Sequence, residues 1–165
     1  MAIDALPIQY EEYRNFNLST PISANEYFDT KILGRNNFYD PINIDIKNDL
    51  RKKLYSYLVL NNNWDNYGAI KPEEKVIRNC FGFLRNLPER YLSNLSKEDL
   101  SITPYGTIVL DWEDKNKLLS IEIGNDSLGY FTELNDTENL SSEAIKYDQD
   151  EIPSEVVKAF HTFNN

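Results

Sequence analysis

The sequence predicts an α+β domain in which two or three helices pack on one face of a three- to four-stranded antiparallel meander, preceded by an irregular N-terminal arm. Apolar residues recur with helical spacing over residues 45–60 and 72–87. Strict apolar–polar alternation, interrupted by two turn segments, then follows over residues 107–134. These observations divide the chain into an aromatic arm, 1–44, and one domain, 45–165.

The predicted first helix begins near Asp45, whose side chain suits an N-cap, and carries apolar residues on one face. The second begins near Pro72 and cannot continue through Pro88. Its apolar stripe contains the lone cysteine, Cys80, which is therefore predicted to lie in the core. A short helical segment is expected within 89–99 and a closing helix after Pro153.

The alternation predicts three strands joined by tight turns, with a short edge strand at 144–148. In the first strand Ile108, Leu110 and Trp112 point to one side, and the intervening polar residues point to the other. Four acidic side chains are expected to gather on the outer face, interspersed with Val109, Ser120 and Phe131. These four are Asp111, Glu113, Glu122 and Glu133.

Charge is unevenly distributed along a chain whose formal net charge is -10. Residues 1–97 carry 13 Lys and Arg against 12 Asp and Glu, whereas residues 98–165 carry 4 against 15. An acidic surface repels phosphate backbones, so direct nucleic-acid binding through this half is not expected. A basic protein is the electrostatically favoured partner.

The outer acidic residues admit two other interpretations. Carboxylate clusters bind hard cations, but the chain has no Asp-x-Asp-x-Asp loop followed by Gly and Glu, and a solvated face is the simpler interpretation. No metal and no cofactor are predicted.

Glycine loops that hold phosphates are missing from the sequence, and His161 is a lone histidine near the C-terminus. No catalytic residue is predicted, although paired-carboxylate hydrolysis remains open.

The string Asn63–Ala69 concentrates two aromatic residues, a carboxylate and a glycine between the two helices. In a structural interpretation Gly68 supplies a positive φ, Asp65 accepts hydrogen bonds from nearby backbone N–H groups, and Trp64 closes the helix pair. In a functional interpretation Trp64, Asp65 and Tyr67 form part of a binding site.

This string resembles the Asn-Trp-Asp-Gly-Tyr-Gly-Ala signature of a widespread group of small bacterial proteins to which no activity is assigned. The similarity continues through Phe81–Pro88 and Thr103–Trp112 and covers roughly residues 60–134. The chain departs from the signature at Asn66, where the group has glycine. Asparagine is the next best residue for a left-handed backbone.

The leading functional hypothesis is an acidic module of the antitoxin, immunity or inhibitor type that occludes a basic protein surface. Trp64, Tyr67 and the arm residues Tyr27 and Phe28 would then serve as aromatic anchors. One alternative is a ligand-binding protein or enzyme that uses Trp64–Gly68 as a pocket wall. Another is a structural subunit that docks through residues 1–44. Without a signal peptide or a long apolar run, the chain is expected to be cytoplasmic and not membrane-bound.

Overall fold

The protein is described by a computed structural model that covers residues 44–134, 139–149 and 151–164, with residues 44–47 described by their backbone alone. The predicted arm, with Tyr27 and Phe28, lies outside the described residues apart from Ile44. Within these ranges the structure has an α+β fold with four helices and a five-stranded sheet. The helices are α1 (Ile44–Leu58), α2 (Glu74–Asn86), α3 (Glu89–Leu92) and α4 (Ser154–Asn164). The strands are β1 (Leu100–Ile102), β2 (Ile108–Asp114), β3 (Lys117–Ile123), β4 (Ser127–Leu134) and β5 (Ser141–Lys146).

The sheet is an antiparallel meander in which the strands lie side by side in chain order, β1 to β5. The prediction of an antiparallel meander is confirmed, but the predicted count of three to four strands is wrong. The missed strand is β1, whose three residues are too few to show alternation. It pairs with β2 and its Leu100 carbonyl accepts a hydrogen bond from the buried hydroxyl of Tyr57 in α1, at 3.0 Å.

The edge strand β5 begins three residues before the predicted range of 144–148. Its first residues, Ser141–Glu143, are polar and gave no strand signal. Pairing with β4 begins at the preceding residue, Leu140, whose carbonyl accepts a hydrogen bond from the N–H of Thr132 at 2.8 Å. A register shift opposite Leu128–Tyr130 and a left-handed Ala144, with φ 56°, then distort the edge.

The predicted count of two or three helices is wrong, because the structure has four in its described ranges, with α3 inside the short helical segment expected over 89–99. Helices α1 and α2 match the expected periodicity, with small shifts at their ends. The first helix begins at Ile44, so Asp45 lies inside it and is not the N-cap that the sequence indicated. The second ends at Asn86, just before Pro88, as expected. Among the described residues, no helix is both long enough and apolar enough to cross a membrane.

A continuous core lies between the helices and the inner face of the sheet. Cys80 is fully buried in it, which confirms its predicted place, and this burial raises the pKa of its thiol. Three aromatic rings meet beneath α4, because Phe160 stacks on Tyr91 at 4.2 Å between centroids and meets Trp112 edge-on at 5.0 Å. The Trp112 indole N–H donates to the Tyr91 carbonyl at 2.9 Å.

One buried polar side chain fastens the sheet to α2. Asn79 donates from its Nδ2 to the carbonyls of Gly124 and Asn125, at 2.7 and 2.9 Å, and its Oδ1 accepts from Gln149 Nε2 at 2.9 Å. These bonds supply donors to two carbonyls of the β3–β4 turn. Without them, α2 would cover the carbonyls and leave them without hydrogen-bond partners. The sequence interpretation missed this residue, since a single asparagine on an apolar helix face gives no distinctive signal.

Phe160→Ala should lower the free energy of unfolding by about 3–5 kcal/mol, because it removes the ring that contacts both Tyr91 and Trp112 and leaves a cavity. Val157→Ala is the matched control on the same helix, since Val157 is 41% exposed. It should change stability by about 0.5 kcal/mol or less. Urea denaturation of both variants measures the difference, and similar losses in the two would contradict the packing of α4 described here.

Candidate functional site

The face of the sheet opposite the helices carries the four predicted acidic residues. Strand pairing places Val109 beside Glu122, Asp111 beside Ser120, and Leu118 between two glutamates, Glu113 and Glu133. The prediction that these acids share a face with Val109, Ser120 and Phe131 is confirmed by this register. We call the surface formed by Asp111, Glu113, Glu122 and Glu133 the acidic face.

The side chains on the acidic face remain open to solvent. Glu113, Glu122 and Glu133 are exposed and Asp111 is half-buried. None of the four carboxylates belongs to an ion pair in the part of the chain that the structure describes. Glu122 accepts a hydrogen bond from the hydroxyl of Thr107. The face therefore carries four negative charges without a compensating cation from the described residues.

Apolar side chains lie among these charges. Val109 and Leu118 are half-buried and Phe131 is 41% exposed. They belong to three neighbouring strands, β2, β3 and β4. Strand pairing intersperses these apolar side chains with the acidic ones around Ser120, so the face mixes apolar area with negative charge.

The Asn63–Ala69 loop is held by its own polar side chains. Asp65 Oδ1 accepts from the backbone N–H groups of Tyr67 and Ala69, at 2.8 and 3.1 Å. Asn63 Oδ1 accepts from the N–H of Gly68 at 2.8 Å. The roles predicted for Asp65 and Gly68 are confirmed, since Gly68 has φ 96°. Asn66 has φ 65°, the left-handed conformation expected of it.

This loop lies against the turn between β1 and β2. The N–H of Ile70 donates to the Pro104 carbonyl at 2.8 Å, and the Trp64 indole N–H donates to the Ile70 carbonyl at 3.3 Å. A side chain at Gly106 would meet the Lys71 carbonyl oxygen at 2.9 Å. The two strings that carry the family resemblance, Asn63–Ala69 and the start of Thr103–Trp112, are therefore brought together in the fold.

Two tyrosines project from this pair of loops. Tyr67 is 93% exposed and Tyr105 is 82% exposed, while Trp64 and Asp65 are half-buried. Sequence reasoning nominated Tyr67 but missed Tyr105, which appeared only within the resembling string. The contact between Ile70 and Pro104 that joins the loops is tertiary and leaves no local sequence signal.

Several other titratable groups of the described residues lie apart from these two places. His161 is exposed on α4, and within the described ranges no three His, Cys, Asp or Glu side chains gather closely enough to hold a metal ion. Burial raises the pKa of the Tyr57 hydroxyl to about 12. One surface cleft is lined by Asp49 and residues 93–98, and another by Arg90, Tyr91, His161 and Asn164. Neither cleft includes Trp64–Gly68 or the acidic face.

Gly68→Ala and Gly106→Ala should differ in cost although both glycines have positive φ. An alanine at position 68 has open space around its Cβ, so only the left-handed backbone opposes it, at roughly 1–2 kcal/mol. At position 106 the same backbone cost is joined by the clash with the Lys71 carbonyl. Thermal or urea unfolding should rank Gly106→Ala as the less stable variant, and the reverse order would contradict the docking of the loop on the turn.

The charge on Asp65 should stabilise the fold only above acidic pH. The N–H of Tyr67 lowers the pKa of its carboxyl most, partial desolvation raises it, and the N–H of Ala69 lowers it further. Because the pKa is lower in the folded state, the stabilisation is complete above the ordinary aspartate value of about 3.9 and is lost as pH falls through the lowered value. Asp65→Asn retains an accepting oxygen but not the charge. The loss of unfolding free energy in this variant, relative to the unmodified protein, should be larger at neutral pH than near pH 3. Urea denaturation at the two pH values measures it, and an equal loss at both would contradict the role of the charge.

The structure thus brings the nominated residues together in two places. Asp111, Glu113, Glu122 and Glu133 share the acidic face, whereas Trp64, Asp65 and Tyr67 lie in the loop beside the β1–β2 turn. Tyr27 and Phe28 belong to the part of the chain that is not described. Comparisons of the chain with protein-family models, with curated proteins and with solved structures found no match in any of the three.

Proposed function

We propose that this chain is an acidic protein-binding module of the antitoxin, immunity or inhibitor type, which acts by occluding a basic surface of its partner. The observation that carries the proposal is the acidic face, where four carboxylates alternate with apolar side chains and lack ion partners among the described residues. The resemblance to small bacterial proteins supports a bacterial setting for that role.

Electrostatics favours a basic partner for this face. Like charges on neighbouring strands repel one another, and lysine or arginine side chains on a partner would relieve that repulsion. Charge complementarity of this kind accelerates encounter over a range of about 10 Å at moderate salt. The same charges oppose the approach of a phosphate backbone, so we propose no direct nucleic-acid contact here.

The apolar side chains on the same face would stabilise a complex that charge alone would only help to form. Leu118 is flanked directly by Glu113 and Glu133, and Phe131 lies two strands from Asp111, with Ser120 between them. Covering such side chains removes apolar area from water and prolongs the complex, while the surrounding charges mainly set the association rate. This combination favours a protein partner over a small ion.

The proposal is tested by capturing partners from the native cell with the purified chain at two salt concentrations, about 50 mM and about 500 mM. At the higher concentration, interactions between surface charges are largely screened. A stoichiometric partner should be retained at low salt and weakened at high salt. Its association rate should fall by about tenfold or more in a variant that neutralises the acidic face. This variant combines Asp111→Asn, Glu113→Gln, Glu122→Gln and Glu133→Gln.

A matched control removes the same number of negative charges from other positions. It combines Asp49→Asn, Glu89→Gln, Glu151→Gln and Glu155→Gln, none of which belongs to the acidic face. Both variants should remain folded by circular dichroism, and the control should retain most of the association rate. If the two variants slow association equally, net charge and not the acidic face is responsible, and the proposal is wrong.

A further inference from the structure

The two exposed tyrosines, Tyr67 and Tyr105, are held in place by a rigid framework. Four side-chain-to-backbone bonds close the first loop, because Asn62, Asn63 and Asp65 accept from N–H groups of residues 67–71. The second loop is closed by Thr103, whose hydroxyl oxygen accepts from the N–H of Tyr105 at 3.2 Å. Their rings are thus presented to solvent from ordered backbone, which lowers the entropy lost when a partner covers them.

The tyrosines lie at one end of the acidic face. Thr103 and Thr107 share a hydrogen bond of 2.6 Å between their hydroxyls, and Thr107 also bonds the carboxylate of Glu122. The β1–β2 turn therefore connects Tyr105 to an acidic side chain through two threonines. Since the N–H of Ile70, at the end of the Tyr67 loop, bonds the Pro104 carbonyl, hydrogen bonds join the backbone segments of both tyrosines to the strand end that carries Glu122.

We propose, resting on the function proposed above, that this end of the surface binds arginine side chains of the basic partner. We call Tyr67, Tyr105 and Glu122 the arginine site. A guanidinium is planar and weakly hydrated, so it stacks on an aromatic ring while its edge pairs with a carboxylate, whereas a lysine ammonium is a strongly hydrated point charge. A surface that combines exposed tyrosine rings with a carboxylate therefore favours arginine over lysine.

The charges within the first loop do not alter this preference. Asp65 is acidic, but its Oδ1 accepts from two backbone N–H groups that close the loop, whereas Glu122 accepts a single bond, from the Thr107 hydroxyl to its Oε1. Lys71 is exposed in the same loop and opposes the charge of Asp65. The attraction for a cation therefore comes from the rings and from the adjoining acidic face.

The test uses two synthetic peptides of equal length and charge, with Arg-Gly-Ser or Lys-Gly-Ser repeats, and measures their binding by calorimetry. The folded protein should bind the arginine peptide about threefold or more tightly than the lysine peptide, as expected for one or two exposed cation–π contacts. A Tyr67→Ser, Tyr105→Ser double variant should bind both peptides equally. Val157→Ser, at an exposed apolar position on α4, is the control and should preserve the preference.

Equal binding of the two peptides by the unmodified protein, or an arginine preference that survives in the double variant, would overturn the arginine site. The acidic-face variant separates this failure from failure of the proposed function. If that variant weakens both peptides while no arginine preference exists, the acidic module stands and only the arginine site is rejected. If peptide binding is unaffected by that variant and by salt, the proposed function fails.

Discussion

Burial of the inner sheet face beneath the helices is the constraint on which the rest of this structure depends. Leu110, Ile121 and Leu119 are fully buried there, and side chains alternate between the two faces of a strand. A shift of one residue in β2, β3 or β4 would exchange the two faces of that strand and turn its acidic side chains toward the core. The register that the core requires therefore also gathers the carboxylates on the opposite face.

The loop beside the β1–β2 turn obeys a different constraint, which concerns backbone hydrogen bonds. Between α1 and α2 the chain leaves regular structure, and its N–H groups need acceptors. Side-chain oxygens of Asn62, Asn63 and Asp65 provide them, and left-handed residues turn the chain tightly enough for those contacts. Since polar atoms and not apolar packing close this loop, Tyr67 is left outside and available to a partner.

Sequence reasoning succeeded where the signal was local and periodic. Alternation over β2, β3 and β4 correctly predicted which acids share a face, and the stripe through Cys80 correctly predicted a buried side of α2. It missed β1, which consists of three residues recruited by pairing with β2. It also gave no sign that Tyr105 lies beside the Tyr67 loop, because the bond from Ile70 to Pro104 depends on how α1 and the sheet pack together.

The distribution of charge on the two sides of the sheet bears on how a partner would approach. The helices lie opposite the acidic face and carry exposed residues of both signs, among them Lys52 and Arg85 but also Asp49 and Glu89. Among the described residues the helices thus carry mixed charge, whereas the acidic face carries four carboxylates, and an approaching cationic surface would be attracted to that face. Such a surface meets the acidic face first, at a stage when desolvation has not begun. Under the proposed function, productive encounters would be enriched before any apolar contact forms, because the strand register that gathers the carboxylates would also orient the association.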